Sequence, residues 1–292
     1  MNLKTIKRKI TGSKLKRSRM LNFANLLFLL LLGAFMLIPF VFAVNNAFKP
    51  LDELFIYPPR LFVSNPTTNN FSDLFIIMSE SILPFSRYIF NTFLVTVTGT
   101  AGHVFFASLA SFVMAKYNFY GKSVMFNIII LSLLFVPQVT AIPNYITMSQ
   151  LRWVDTPLSL IVPAFGAPLG FFLMKQFMET MVPDEILESA RIDGAGILKI
   201  FMTVVMPMVK PAWLTLIVFS VQYLWSVGAT PLIYSENLKT LNYALGQIIA
   251  AGIARSGVAT AIAVLMMSVP ITVFLFTQSK IIETMSSSGI KE

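Results

Sequence analysis

Six stretches of this chain run 19 residues or longer without a charged side chain: 20–48, 88–115, 123–151, 156–174, 211–235 and 256–279. As a helix rising about 1.5 Å per residue, even the shortest spans about 28 Å, close to the roughly 30 Å hydrocarbon core of a bilayer. Lipid cannot satisfy the polar backbone of an open sheet edge, so runs of this length must cross as helices. Only 12% of the 292 residues are charged, against about 25% in soluble domains. The sequence therefore predicts an all-α polytopic membrane protein with six transmembrane helices. A seventh run, 240–254, is interrupted by Asn242, Gly246 and Gln247 and reads as an interfacial or re-entrant helix.

Six crossings leave both termini on one side, and charge chooses the side. With the basic tail 1–19 in the cytoplasm, the tail, the 116–122 and 175–210 loops and the C-terminal segment hold 16 of the 22 cations and seven of the 13 acids. The outer loops then carry six of each, so the whole net charge of +9 lies on the inner face, as the positive-inside rule requires. The same charge asymmetry removes the need for a nucleic-acid partner. The apolar run after the tail exceeds the 7–15 residues of a signal-peptide core, so it is read as a retained span despite the small-residue string "VFA" at 41–43. The outer segment 45–87 contains five prolines and reads as irregular, with a short helix in "FSDLFIIM". The organisation is a tail (1–19), a membrane unit (20–279, with an inner loop 178–211) and a C-terminal tail (280–292).

Chemistry is sparse. With no cysteine and one histidine, disulfides and thiolate metal sites are excluded, very little is left for other metal or nucleophilic chemistry, and no catalytic residue or cofactor is assigned. His103 is the one titratable group deep in a span; it lies among Gly99, Ala101, Gly102, Ala107, Ser108, Ala110 and Ser111. Small residues let helices approach closely and hydroxyls bond across them, so a helix-to-helix contact is the expected role. A proton- or ion-coupled carrier would place acids or bases at this depth. "KYNFYGKS" at 116–123 fails as a phosphate loop because its first position is Lys116, and "GAGILK" fails the dinucleotide fingerprint at Lys199. A motor, if there is one, sits on another chain. A standalone carrier and a membrane-embedded enzyme are the competing classes.

The inner loop holds the densest pattern. Pro183 suits a helix start, and Asp184 and Glu185 then lie where the helix dipole favours anions. Ile186, Leu187, Ala190 and Ile192 form a modest apolar side, while Glu188, Arg191 and Asp193 are polar. Gly194 and Gly196 are expected to adopt positive φ, ending the helix and turning the chain. A second helical piece, 197–206, then stops near Pro207 and Pro211. A solvated loop helix would show the same periodicity. Small side chains at Ser189 and Ala190 beside Glu188 suit a close, charge-assisted contact with a partner.

This loop resembles the EAA signature of permease subunits of ATP-binding-cassette importers: Glu188-Ser189-Ala190, then Gly194, Ala195 and Gly196, then Val204-Val205-Met206-Pro207. "LASFVMAKYNFYGK" (109–122), "IPNY" (142–145), "DTPLSLIVP" (155–163) and "TPL" (230–232) are similar, in order, to the carbohydrate subgroup, the maltose type above all. Trp225 matches a fifth-span tryptophan of that subgroup, with Ser226 where asparagine usually follows.

The resemblance implies a type I importer permease fold in a bacterial cell membrane. It implies that two such permease subunits form the pore, that an ATPase dimer docks beneath, and that an extracytoplasmic binding protein delivers a carbohydrate. ATPase coupling would fall to Glu188, Ser189, Ala190, Asp193, Gly194, Ala195, Gly196 and Pro207. The tail 280–292 would approach the ATPase. For the substrate path, Gln222, Tyr223 and Trp225 combine a hydrogen-bonding amide with aromatic faces, and the 236–255 loop would meet the binding protein.

Overall fold

The computed structural model describes residues 19–80, 83–250, 252 and 255–288. The tail 1–18 and residues 289–292 lie outside the described residues. All regular structure among the described residues is helical. We number the helices α1 (Arg19–Ala47), α2 (Leu51–Leu54), α3 (Asn69–Ser79), α4 (Phe85–Lys116), α5 (Lys122–Ser132), α6 (Pro137–Gln150), α7 (Leu158–Phe165), α8 (Pro168–Met181), α9 (Asp184–Ile192), α10 (Ile197–Met208), α11 (Lys210–Trp225), α12 (Leu241–Ala250) and α13 (Ser256–Ser288).

Four continuous or nearly continuous helical segments are long and apolar enough to cross a membrane: Phe23–Ala47, Phe85–Lys116, Leu158–Met181 and Ser256–Ser279. Two bent pairs bring the crossings to six when each pair is one span. Two predicted runs need correction. The run 123–151 is not straight, because α5 and α6 meet at 111°. Pro137 opens α6 and forces Val136 into an extended conformation, ψ 147°, which a helix cannot pass through. The run 211–235 is helical only to Trp225. Beyond it Pro231 cannot donate, and the backbone finds partners elsewhere: Thr240 Oγ1 bonds Val227 O at 2.7 Å, and Asp155 Oδ1 accepts the amides of Tyr234 and Ser235 at 3.1 and 2.9 Å. Burial pushes the Asp155 carboxyl up, but the Ser235 hydroxyl and these two amides outweigh it and hold it below its usual value.

The long helix α4 is the axis, packed by α7, α8 and α11, while α1 leans mainly on α13. Close approach rests on missing side chains. A Cβ at Gly102 would lie 2.0 Å from the Phe165 ring, and one at Gly170 would lie 2.2 Å from His103 Nε2. His103 is buried between three segments, with Nδ1 2.7 Å from Ser220 Oγ and Nε2 3.3 Å from Ala167 O. Both ring nitrogens are thus used inside the bundle, as its small-residue surroundings led us to expect.

Candidate functional site

At one end of the bundle the chain leaves α8, forms α9, turns, and re-enters through α10 and α11. Pro183 is the N-cap of α9, and Asp184 and Glu185 occupy its first turn, where anions meet the helix dipole favourably. Leu187, 4% exposed, sinks into a core with Phe112, Met178, Val182, Ile200, Phe201 and Val205, and Ala190 and Ala195 pack against that core. Ile186 and Ile192 do not join it. Ile192 is 87% exposed, and Ile197 and Leu198 beyond the turn are exposed too. The predicted apolar side is therefore split: one part anchors the helix and the other faces outward.

The turn itself is a Schellman motif. Gly194 N bonds Arg191 O and Ala195 N bonds Ala190 O, each at 3.0 Å, and Gly194 takes φ +79°, which a Cβ would strain. Gly196 behaves otherwise than expected. It has φ −69° and ψ 157° as the N-cap of the next helix, a conformation open to any residue. The second piece also runs farther than 206. Phe201–Val205 widens into a π-helical turn and the helix continues to Met208. Pro207, whose missing N–H would break an α-helical ladder, is accommodated there. The chain then bends by 80° into α11. Pro207 is exposed.

Two contacts hold α9 to α4. The Lys116 ammonium donates to Val182 O and, at 2.8 Å, to Asp184 Oδ1. That bond keeps the Asp184 carboxyl below the usual carboxylate value. Arg191 lies 5.5 Å over the Tyr117 ring and donates to its hydroxyl at 3.3 Å. Tyr117 meets Phe112 edge-on at 5.6 Å, and Phe112 meets Phe201 of the π-turn at 5.4 Å. The ring contacts thus run from α9 through α4 to the π-turn of α10. Lys116 and Tyr117 were missed as site residues, although they open the string rejected as a phosphate loop.

What remains outward on α9 carries three carboxylates, with Lys199 exposed beyond the turn. Glu185, Glu188, Ser189 and Asp193 are exposed, and Glu188 forms no ion pair with any described residue. Ser189 turns its hydroxyl back to Glu185 O at 2.9 Å. The elbow therefore offers a free carboxylate and exposed aliphatics, Ile192, Ile197 and Leu198, on either side of a stiff turn.

The candidate path residues divide. Gln222 and Trp225 line one cavity of about 490 Å³ with Ser226, Asn242, Met266 and Phe274, while Tyr223, 65% exposed, is not part of that lining. Trp225 is anchored by its indole N–H to Met266 O at 3.1 Å. Asn242, singled out in the sequence only as an interruption of a short apolar run, bonds Ser226 O and contributes the cavity's second amide.

A family model described as binding-protein-dependent transport system inner membrane component matches residues 107–285. Protein LplC of Bacillus subtilis (strain 168) is 29% identical over 223 residues, 75% of this chain and 72% of that protein. The sn-glycerol-3-phosphate transport system permease protein UgpE of Escherichia coli O1:K1 / APEC is 27% identical over 207 residues, 70% of this chain and 73% of its own length. Among solved structures, a chain of a bacterial ABC transporter involved in the import of the acidic polysaccharide alginate has a TM-score of 0.71 and 21% identity, covering 90% of this chain and 98% of that one. At that identity the likeness establishes a shared fold.

Proposed function

This chain belongs to the binding-protein-dependent transport system inner membrane component family, and we propose that it forms half of the pore of an ATP-driven importer for a carbohydrate, with an oligosaccharide as the preferred cargo. The loop 178–211 takes the role of coupling element toward a separate ATPase dimer, with Glu188 as its contact and Gly194 as its bend. A second, homologous permease completes the pore, an extracytoplasmic binding protein supplies the sugar, and both termini face the cytoplasm.

The observation that carries this reading is the elbow. Its stiff Schellman turn, unpaired Glu188 carboxylate and exposed Ile192, Ile197 and Leu198 form an outward contact surface, while Leu187 ties the same helix to the spans. A movement imposed on such a helix passes to α4 and α11 through packed side chains. Its acidic face suits a basic groove, since oppositely charged surfaces favour correct docking. Toward the outer side, the amides of Gln222 and Asn242 beside the Trp225 ring support a path for a hydroxyl-rich solute.

The test is co-purification and uptake. Glu188→Arg and Gly194→Val should lower recovery of the ATPase with the membrane subunits and reduce sugar uptake, with the protein still present in the membrane. Wild-type uptake and wild-type ATPase recovery in both variants would remove the docking assignment. Uptake measured over a sugar panel identifies the cargo, and activity without any ATPase would favour a standalone carrier.

A further inference from the structure

The end of the bundle that carries the elbow also contains a cavity of about 660 Å³ between the 118–124 segment and α8, lined by Asn118, Tyr120, Lys122, Ser123, Phe126 and Lys175 among others. We propose that this cavity binds the phosphate of an anionic phospholipid, with an acyl chain laid along α5. The proposal is independent of the transport role above.

Lys175 is the unusual residue. It is 8% exposed just past the apolar half of α8, where a buried charge is costly unless it is paired. Its ammonium bonds Glu179 at 2.6 Å and lies 4.1 Å over the Phe126 ring, leaving donor capacity among its three N–H groups. Lys122 is held at the opposite wall by Tyr117 O at 3.0 Å and Asn118 Oδ1 at 3.4 Å. Between them begins α5. Its N-cap Gly121, at φ +85°, carries no side-chain cap, and the amides of Ser123 and Val124 have no hydrogen-bond partner among the described residues. Free first-turn N–H groups and the helix dipole attract an anion, and here they join two cations around one cavity.

Charge and shape select the ligand. Lys122 and Lys175 against Glu179 leave one net positive charge, matched to a phosphodiester monoanion more than to a polyphosphate. From the cavity runs α5, which buries no residue and exposes Val124, Ile128 and Leu131. Tyr120 is fully exposed at its start, in the manner of an aromatic at the headgroup level. Lys116 of α4 touches Asp184 of α9, so the adjoining 117–121 turn lies at the same membrane boundary as the elbow. Basic pockets between spans at such a boundary suit anionic headgroups.

The test is native mass spectrometry of the full-length protein in its purified complex, loaded in neutral detergent with phosphatidylglycerol or phosphatidylcholine. The wild type should retain phosphatidylglycerol preferentially. Lys122→Gln, on the half-exposed turn, should reduce that retention about fivefold, the effect of one interfacial cation. Lys122→Gln combined with Lys175→Gln, which reverses the local charge, should reduce it further, and Lys199→Gln should leave it unchanged. Equal retention of both lipids, or an equal loss in the Lys199 variant, would overturn the site. Inorganic phosphate arms the alternative: raised thermal stability with millimolar phosphate in lipid-free detergent, together with no lipid preference, would show a free-anion site and overturn the lipid assignment.

Discussion

His103 of α4 and Ser220 of α11 meet inside the bundle with Nδ1 and Oγ 2.7 Å apart, and Ala167 O approaches the other ring nitrogen at 3.3 Å. A histidine with both nitrogens occupied by the protein fastens helices. Ser220→Ala should therefore cost about 0.6 to 1.7 kcal/mol, the range for hydrogen bonds between membrane helices. His103→Ala should cost more, since it also empties a ring-sized volume. Thermal unfolding of the purified variants checks the order. The pH profile of uptake should be the same in Ser220→Ala as in the wild type; a displaced profile would give the histidine a proton-handling role.

Gly170 and Gly166 bracket the α7–α8 break and make opposite predictions. A Cβ at position 170 would sit 2.2 Å from His103 Nε2 and 2.8 Å from Leu216 Cδ1, whereas one at 166 meets nothing within 4 Å. Gly170→Ala should destabilise by about 1 to 3 kcal/mol through overpacking, and Gly166→Ala should be nearly silent. Melting temperatures in one detergent separate the two.

Gly194 and Gly196 were read alike from the sequence, and the backbone separates them. Position 194 has φ +79°, while 196 has φ −69° with open space around it. Gly194→Ala should cost about 1 to 2 kcal/mol at that turn and lower ATPase recovery with the complex. Gly196→Ala should do neither, a contrast that co-purification of the two variants can read.

The same pair shows where the sequence stops informing. A glycine permits positive φ without requiring it, so only the hydrogen bonds from Gly194 to Arg191 and from Ala195 to Ala190 decide which one bends. Uncharged run length located the crossings, because lipid penalises charge wherever it falls. It could not see the break at Val136–Pro137 or the end of α11 at Trp225, which depend on where backbone groups find partners. The helix that carries Glu188 and Ser189, and its turn at Gly194, were legible through local spacing. Lys116 and Tyr117 were not, since they reach α9 from about 70 positions earlier and only packing joins them.

Asp184 makes the attachment of α9 pH-sensitive. Its carboxyl is held below the ordinary value by the Lys116 hydrogen bond and charge. A depressed carboxylate contributes stability that is full above its unfolded pKa of about 3.8 and is lost as pH falls through the lower folded value. Protection of the 182–192 amides, taken relative to their intrinsic exchange rate at each pH, should thus fall below about pH 4 in the wild type. Asp184→Asn should exchange faster at neutral pH and lose that acid-dependent step.

Tyr117 offers two bonds to α9, and substitution can separate them. Its ring carries the Arg191 guanidinium at 5.5 Å and abuts Phe112 at 5.6 Å, while its hydroxyl accepts from Arg191 at 3.3 Å. Tyr117→Phe removes only the hydroxyl contact, which is exposed and long, so uptake and the ratio of ATP hydrolysed to sugar moved should stay close to wild type. Tyr117→Ala removes the ring that connects α9 to Phe112 and through it to Phe201. Beyond the roughly 0.5 to 1 kcal/mol of an exposed cation–π contact, it opens a gap in the packed route from the elbow to α11. The expected result is hydrolysis that continues while uptake falls, and Arg191→Ala should show a weaker form of the same defect. A Tyr117→Ala transporter with the wild-type ratio would overturn the part proposed for that ring in coupling.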